Sequence, residues 1–95
     1  MITRAGIETA YCFLHQKERV YAHSTMDWQR DDIEYAISSF ADDMNPELYS
    51  LLADGRTDFL RSHATFHADM LHALDILEKM LCTMILLRNI STFAV

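Results

Sequence analysis

Residues 58–87 read DFLRSHATFHADMLHALDILEKMLCTMILL, thirty residues without a glycine or a proline. Apolar side chains recur three or four positions apart along this stretch, which is the spacing of one stripe on an α-helix. The stripe comprises Phe59, Phe66, Met70, Ala73, Leu74, Leu77, Leu81 and Met84. Thr57 is a suitable N-cap, and Asp58 lies in the first turn, where the helix dipole favours an anion. The pattern therefore predicts one long helix over residues 58–88.

The predicted helix is long for a chain of 95 residues. At a rise of about 1.5 Å per residue it measures roughly 45 Å, whereas a compact domain of this size has a diameter of about 30 Å. The helix must therefore bend or break, or its end must project and be covered by something else. The tail beyond it, residues 89–95, can pack back, add to a partner or be disordered.

The composition indicates one all-α domain spanning residues 1–95. Hydrophobic residues make up 51% of the chain and charged residues 23%, a balance that excludes intrinsic disorder for most of it. Two glycines and one proline leave little material for hairpin turns, which favours helices over strands. We expect a small helical bundle of three main helices plus one short helix.

Three helices are predicted before the long one, over residues 2–22, 26–44 and 46–53. Thr3, Ser24 or Thr25, and Asn45 have side chains suited to cap their N-termini. The residues predicted to face the core are Ile7, Ala10, Tyr11, Leu14 and Tyr21 in the first helix, Ile33, Ala36, Ile37, Phe40, Ala41 and Met44 in the second, and Leu48, Leu51 and Leu52 in the third.

The net charge of −6 is concentrated in the middle of the chain. Nine acidic and two basic residues lie between Asp27 and Asp58, and the rest is close to neutral. This balance disfavours direct binding to nucleic acid. The second predicted helix carries Asp27, Asp31, Glu34 and Asp42 opposite its apolar side. A solvated acidic face is the simpler interpretation, and the alternative is that this face binds a basic protein, as a DNA-mimic-like inhibitor would.

The cysteines and the hydropathy pattern favour a cytoplasmic protein. Cys12 and Cys82 lie among apolar residues, so both are expected to be buried and not to act as catalytic thiols. The N-terminus has no signal-peptide pattern. The longest apolar stretch, residues 80–87, is far shorter than the roughly 18–20 residues that span a bilayer.

We find no catalytic constellation in the sequence. Two glycines 49 positions apart cannot build a phosphate-binding loop or a serine-hydrolase elbow, and no cofactor is expected. His63 and His67 are spaced i,i+4, so on a continuous helix they would project from one face like two zinc ligands. A metal-binding helical protein using this pair is the less favoured alternative, because two histidines flanking the apolar stripe are the simpler interpretation.

Around residues 80–87 the long helix is apolar on every side, and such a helix must be buried on every side. The first helix could fold over this end and close a monomer, but a second copy of the chain would enclose it better. We therefore expect a non-catalytic interaction or regulatory protein that acts as a homodimer, with Leu77, Leu81, Met84 and Ile85 in the dimer seam. Another protein with an apolar or basic surface is a further possible partner.

Overall fold

The computed structural model describes the backbone of residues 2–93 and the side chains of residues 2–83. Within this range the chain is helical and contains no strand. The helices are α1 (Arg4–His23), α2 (Asp27–Asp43), α3 (Pro46–Ala53), one turn of 3-10 helix (His63–Thr65) and α4 (Phe66–Phe93). The predicted all-α class is confirmed. Each of the first three helices begins and ends within two residues of its predicted bounds.

The ends of α1 and α3 follow capping chemistry, whereas the start of α2 does not. Thr3 and Asn45 accept hydrogen bonds from backbone N–H groups in the first turns of α1 and α3. The prediction that Ser24 or Thr25 caps α2 is wrong, because the N-cap residue is Met26 and makes no side-chain cap bond. Ser24 is buried and belongs to the end of α1, where its hydroxyl donates to a carbonyl of the last turn.

The prediction that the long helix starts at Asp58 after an N-cap at Thr57 is wrong, because α4 begins at Phe66. The preceding segment is a loop, and Leu60 adopts a φ of 59° there, in the left-handed region that a right-handed helix cannot contain. Phe59 and Leu60 are both fully buried. On a helix their side chains would point about 100° apart, so the loop delivers two neighbouring apolar residues to one core.

A buried carboxylate on α4 holds this loop in place. Asp69 is only 2% exposed and accepts a hydrogen bond from the Leu60 backbone N–H at 3.1 Å. The Thr65 hydroxyl donates to the same carboxylate at 3.2 Å, and the Arg56 guanidinium forms an ion pair with it. Burying a charge is unfavourable unless it is paired and hydrogen-bonded, and here all the donors come from the segment preceding α4.

Two hydroxyl groups fasten the loop to the other helices. Tyr49 on α3 donates to the Phe59 carbonyl at 2.7 Å, and Ser38 on α2 donates to the Leu60 carbonyl at 3.2 Å. A buried carbonyl without a partner is costly, so these bonds favour the irregular backbone. The loop is thereby attached to α2, α3 and α4.

The core is built mainly between α1 and α4. Fully or nearly fully buried residues include Ile7, Ala10, Leu14, Ile37, Leu48, Leu52, Phe59, Leu60, Phe66, Met70, Ala73 and Leu77. Tyr21 near the end of α1 stacks on Phe66 at the start of α4, with ring centroids 6.3 Å apart. α1 and α4 make the most extensive contact of any two elements. They run antiparallel, because Glu18, which precedes Tyr21, contacts His67, which follows Phe66.

This register leaves the end of α4 beyond α1. Tyr21 lies opposite Phe66 and Glu18 contacts His67, so the first residue of α1, Arg4, falls opposite about residues 81–83 of α4. The α4 backbone continues to Phe93, roughly 15 Å further at about 1.5 Å per residue. The molecule accordingly measures 54 × 26 × 18 Å. Both predicted outcomes contribute, because the expected helix is broken before Phe66 and the end of α4 extends beyond α1.

Candidate functional site

The inward-facing apolar side chains of α4 are buried where α1 covers them and become partly exposed near the level of Arg4, where α1 begins. Met70, Ala73 and Leu77 are completely buried, whereas Leu81 is half-buried. Leu77, which was predicted to lie in a dimer seam, instead belongs to the core of one chain and is not accessible to a partner. The side chains of the other two predicted seam residues, Met84 and Ile85, lie outside the described part of the structure.

A second row of apolar side chains lies beside this stripe on α4. Ile76 and Met80 are half-buried, and together with Lys79 and Thr83 they line a shallow apolar hollow. Leu71, nearer the start of α4, is 50% exposed and stands alone. We define the α4 apolar surface as Ile76, Met80 and Leu81, the described residues at which the apolar side of α4 emerges from the core.

A different kind of site is formed where the 3-10 turn meets α2. The Nδ1 atom of His63 lies 2.9 and 3.0 Å from the two carboxylate oxygens of Glu34. The Tyr21 hydroxyl donates to Glu34 at 2.9 Å, and Asp31 stands one helical turn before Glu34. One potential ligand atom from each of Asp31, Glu34 and His63 lies within 4.8 Å of the others. We call these three residues the carboxylate–histidine cluster.

The electrostatics of this cluster favour positive charge. The hydrogen bond and the negative charge of Glu34 raise the pKa of His63, and Asp31 and Asp27 add to the effect. The pKa of Tyr21 is raised mainly by burial and further by its bond to Glu34. Glu34 is only 14% exposed at its side chain, whereas His63 is 75% exposed. The cluster therefore consists of a largely buried carboxylate and an exposed imidazole.

The two histidines proposed from sequence as a metal pair are not brought together. Because α4 begins at Phe66, His63 lies on the 3-10 turn and only His67 is on α4. His67 directs its Nε2 atom to Glu18 of α1 at 2.9 Å, whereas His63 faces Glu34 of α2. His63 and His67 therefore lack the i,i+4 geometry of one continuous helix, because α4 begins between them.

The predicted acidic face is partly engaged within the chain. Asp42 forms an ion pair with Arg61, and Glu34 is held by His63 and Tyr21. The remaining two predicted residues of that face, Asp27 and Asp31, are exposed. The negative charge of α2 is thus divided between bonds that hold the segment before α4 and carboxylates that face the solvent.

Both cysteines are exposed, which corrects the prediction that they are buried. Cys12 follows the buried Ala10 by two positions, which is a rotation of about 200° around the helix. Cys82 follows the buried Leu77 by five positions, a net rotation of about 140°. Both side chains consequently point away from the core.

A shallow hollow lies along the end of α1. It has a volume of about 500 Å³ and is lined by His15, Arg19 and His23 among others. Its residues come from one helix and the start of the next, and it is open to solvent along its length. Within the described residues, no helix has the length and apolar character needed to cross a bilayer.

No protein-family model matches the chain, and neither a curated protein nor a solved structure shows significant similarity to it. The α4 apolar surface and the carboxylate–histidine cluster are therefore the two features that bear on function.

Proposed function

We propose that this protein is a small non-catalytic interaction protein that self-associates through the C-terminal half of α4. The observation that carries the proposal is the register of α1 against α4. The apolar stripe that is fully buried at Leu77 is only half-buried at Leu81, because α1 begins at Arg4 and reaches no further. The apolar sequence nevertheless continues to residue 87 without a charged residue.

The charge distribution favours a second copy of the chain as the occupant of this surface. Residues 27–58 contain nine acidic and two basic residues, whereas the remainder contains five acidic and six basic residues. Two chains that met through α2 would bring like charges together, which is unfavourable. Two chains that meet through the end of α4 avoid this repulsion, and a twofold axis lets the same stripe serve both partners.

The size of the surface suggests a dimer that depends on concentration. Full burial of an exposed Leu, Ile or Met side chain contributes about 1.5–3 kcal/mol. Ile76, Met80 and Leu81 already pack partly against the core, so each contributes at most about a third of that, or roughly 3–6 kcal/mol for the six side chains of a dimer. Association itself costs about 4–15 kcal/mol in lost freedom. The three described residues alone do not offset this cost, so a dimer also needs burial of the apolar sequence that continues to residue 87, and the mass should be measured at several concentrations.

The test is the solution mass, by light scattering after size-exclusion chromatography, of the wild type and two variants. We expect the wild type to approach twice 11.0 kDa and Ile85→Glu to remain monomeric with its helical circular dichroism retained. Leu71→Glu is the matched control, because it places the same charge on α4 at an exposed leucine outside the surface. A wild type that stays monomeric at every concentration, or an Ile85→Glu variant that dimerises like the control, would contradict the proposal.

The exposed cysteines support a location in the cytoplasm. Cys12 and Cys82 are both free and accessible, and free thiols persist in compartments that keep them reduced. In an oxidising compartment they would form disulfides between chains. A regulatory protein that associates by non-covalent helix packing fits the reducing environment.

A further inference from the structure

We propose that Asp31, Glu34 and His63 form a binding site for a divalent transition-metal ion of the zinc class. The inference is independent of self-association, because these residues lie on α2 and the 3-10 turn. It also differs from the histidine pair suggested by the sequence, since His67 takes no part. Two of its three ligands are carboxylates on α2, and the third arrives from the segment before α4.

The backbone arrangement brings the three ligands together before any ion binds. Asp31 and Glu34 are three positions apart on α2, so both project from one face of the helix. Ser38, one further turn along the same face, donates its hydroxyl to the Leu60 carbonyl at 3.2 Å. That bond fixes the loop against α2 three residues before His63. The histidine is therefore delivered to the two carboxylates by a segment whose own side chains are anchored in the core.

The donor atoms match the chemistry of zinc. Imidazole nitrogens and carboxylate oxygens are both ligands of zinc, and a zinc site with three protein ligands leaves its fourth position to water. Magnesium and calcium prefer oxygen ligands alone, so the imidazole favours a transition metal. Ligands around a tetrahedral zinc are about 3.4 Å apart, given bond lengths of about 2.0–2.2 Å. The His63 Nδ1 atom is now 2.9 Å from Glu34 Oε2, and a shift of about half an ångström at the exposed imidazole opens this space.

A supporting hydrogen bond already orients the central carboxylate. The Tyr21 hydroxyl donates to Glu34 Oε2 at 2.9 Å from the core side, and such outer bonds orient the ligands of metal sites. Glu34 itself is largely buried at its side chain, so its position is set by packing. The exposed His63 is then the ligand with room to adjust to the ion, and the ion ties the 3-10 turn to α2.

The test is zinc binding by full-length protein without an affinity tag, measured by calorimetry after treatment with a chelator. We expect one ion per chain in the wild type, with at least a tenfold loss of affinity in His63→Ala and in Glu34→Gln. His67→Ala is the matched control and should bind like the wild type, because its imidazole contacts Glu18. His63 is exposed, so the His63→Ala variant is expected to fold, which circular dichroism verifies.

Cobalt provides a second readout that reports on the ligands directly. Cobalt(II) in the same site should give visible absorption bands of low coordination number, and these should be lost in His63→Ala. Absence of zinc binding to the wild type, unchanged binding in His63→Ala, or loss of binding in His67→Ala would overturn the assignment. A stoichiometry of one ion per two chains would also overturn it, because the three ligands belong to one chain.

Discussion

The buried carboxylate of Asp69 provides the sharpest stability prediction. It accepts hydrogen bonds from the Leu60 backbone N–H and the Thr65 hydroxyl and pairs with Arg56. The replacement Asp69→Ala removes all three interactions at once. The Leu60 N–H is then left without an acceptor in a residue that is fully buried. The loop that delivers Phe59 and Leu60 to the core loses its attachment to α4.

The expected loss of stability can be estimated from the two neutral donors, the Leu60 N–H and the Thr65 hydroxyl. A buried N–H without a partner costs about 1–3 kcal/mol, and the lost hydroxyl bond about 1 kcal/mol more. The guanidinium of Arg56 is 41% exposed and can return to water, so its lost pairing adds little. We therefore expect Asp69→Ala to lower the free energy of unfolding by about 2–4 kcal/mol. A domain of this size has about 5–14 kcal/mol in total.

The assay is urea and thermal unfolding followed by circular dichroism at one fixed protein concentration, since self-association would shift the midpoint. A loss of this size lowers the melting temperature by about 8–30 °C. Asp69→Asn keeps an acceptor oxygen for the Leu60 N–H and should fall between the wild type and Asp69→Ala. Asp58→Ala is the matched control, because Asp58 contacts the same Arg56 at 3.1 Å but is exposed. Equal effects of Asp69→Ala and Asp58→Ala would refute the reasoning.

Two further predictions concern the loop and the acidic face. Leu60→Gly should be at least as stable as Leu60→Ala, because both variants lose the buried side chain but only glycine adopts the φ of 59° without a penalty. For a residue with a Cβ atom this penalty is about 1 kcal/mol or more. The melting temperatures of the two variants test the prediction, and a less stable glycine variant would contradict it. If the exposed acids Asp27 and Asp31 bind a basic protein, binding of a polylysine probe should fall steeply between low and physiological salt. The same binding should weaken in an Asp27→Asn/Asp31→Asn variant. Binding that is insensitive to salt would contradict this alternative.

The sequence was sufficient for the regular elements because their patterns are local. The stripe from Phe66 to Leu77 follows helical spacing and is buried, and the capping residues Thr3 and Asn45 act where their chemistry predicts. Both signals depend on residues within one or two turns of each other. Local patterns of this kind are the ones that a single sequence records.

The start of α4 was mispredicted because the competing interactions are not local. Phe59 sits at the spacing of the helical stripe, and no glycine or proline marks the interruption. The loop is stabilised by Ser38, Tyr49 and Asp69, which are between 9 and 22 residues away from the groups they contact. Tertiary contacts therefore override a helical pattern that is locally satisfactory.

The carboxylate–histidine cluster was missed for the same reason. The i,i+3 spacing of Asp31 and Glu34 can be read from the sequence, but such pairs are common on exposed helices. His63 is 29 residues from Glu34, and its position follows from the left-handed turn at Leu60. The predicted continuous helix instead paired His63 with His67, because the two are spaced i,i+4 on such a helix.

Part of the acidic stretch, residues 27–58, is engaged in contacts within the chain, and these contacts limit its availability to partners. The segment leading into α4 supplies the positive groups: Arg61 pairs with Asp42 and His63 with Glu34, both acids of α2. These contacts join α2 to the segment between α3 and α4, so part of the negative charge of α2 is engaged within the chain. A basic protein docking on this face would compete with these contacts at Asp42 and Glu34. A small cation placed between Asp31, Glu34 and His63 would instead reinforce them. The same geometry therefore favours a metal ion over a macromolecule at this face, which agrees with the proposal that association uses the end of α4 and not α2.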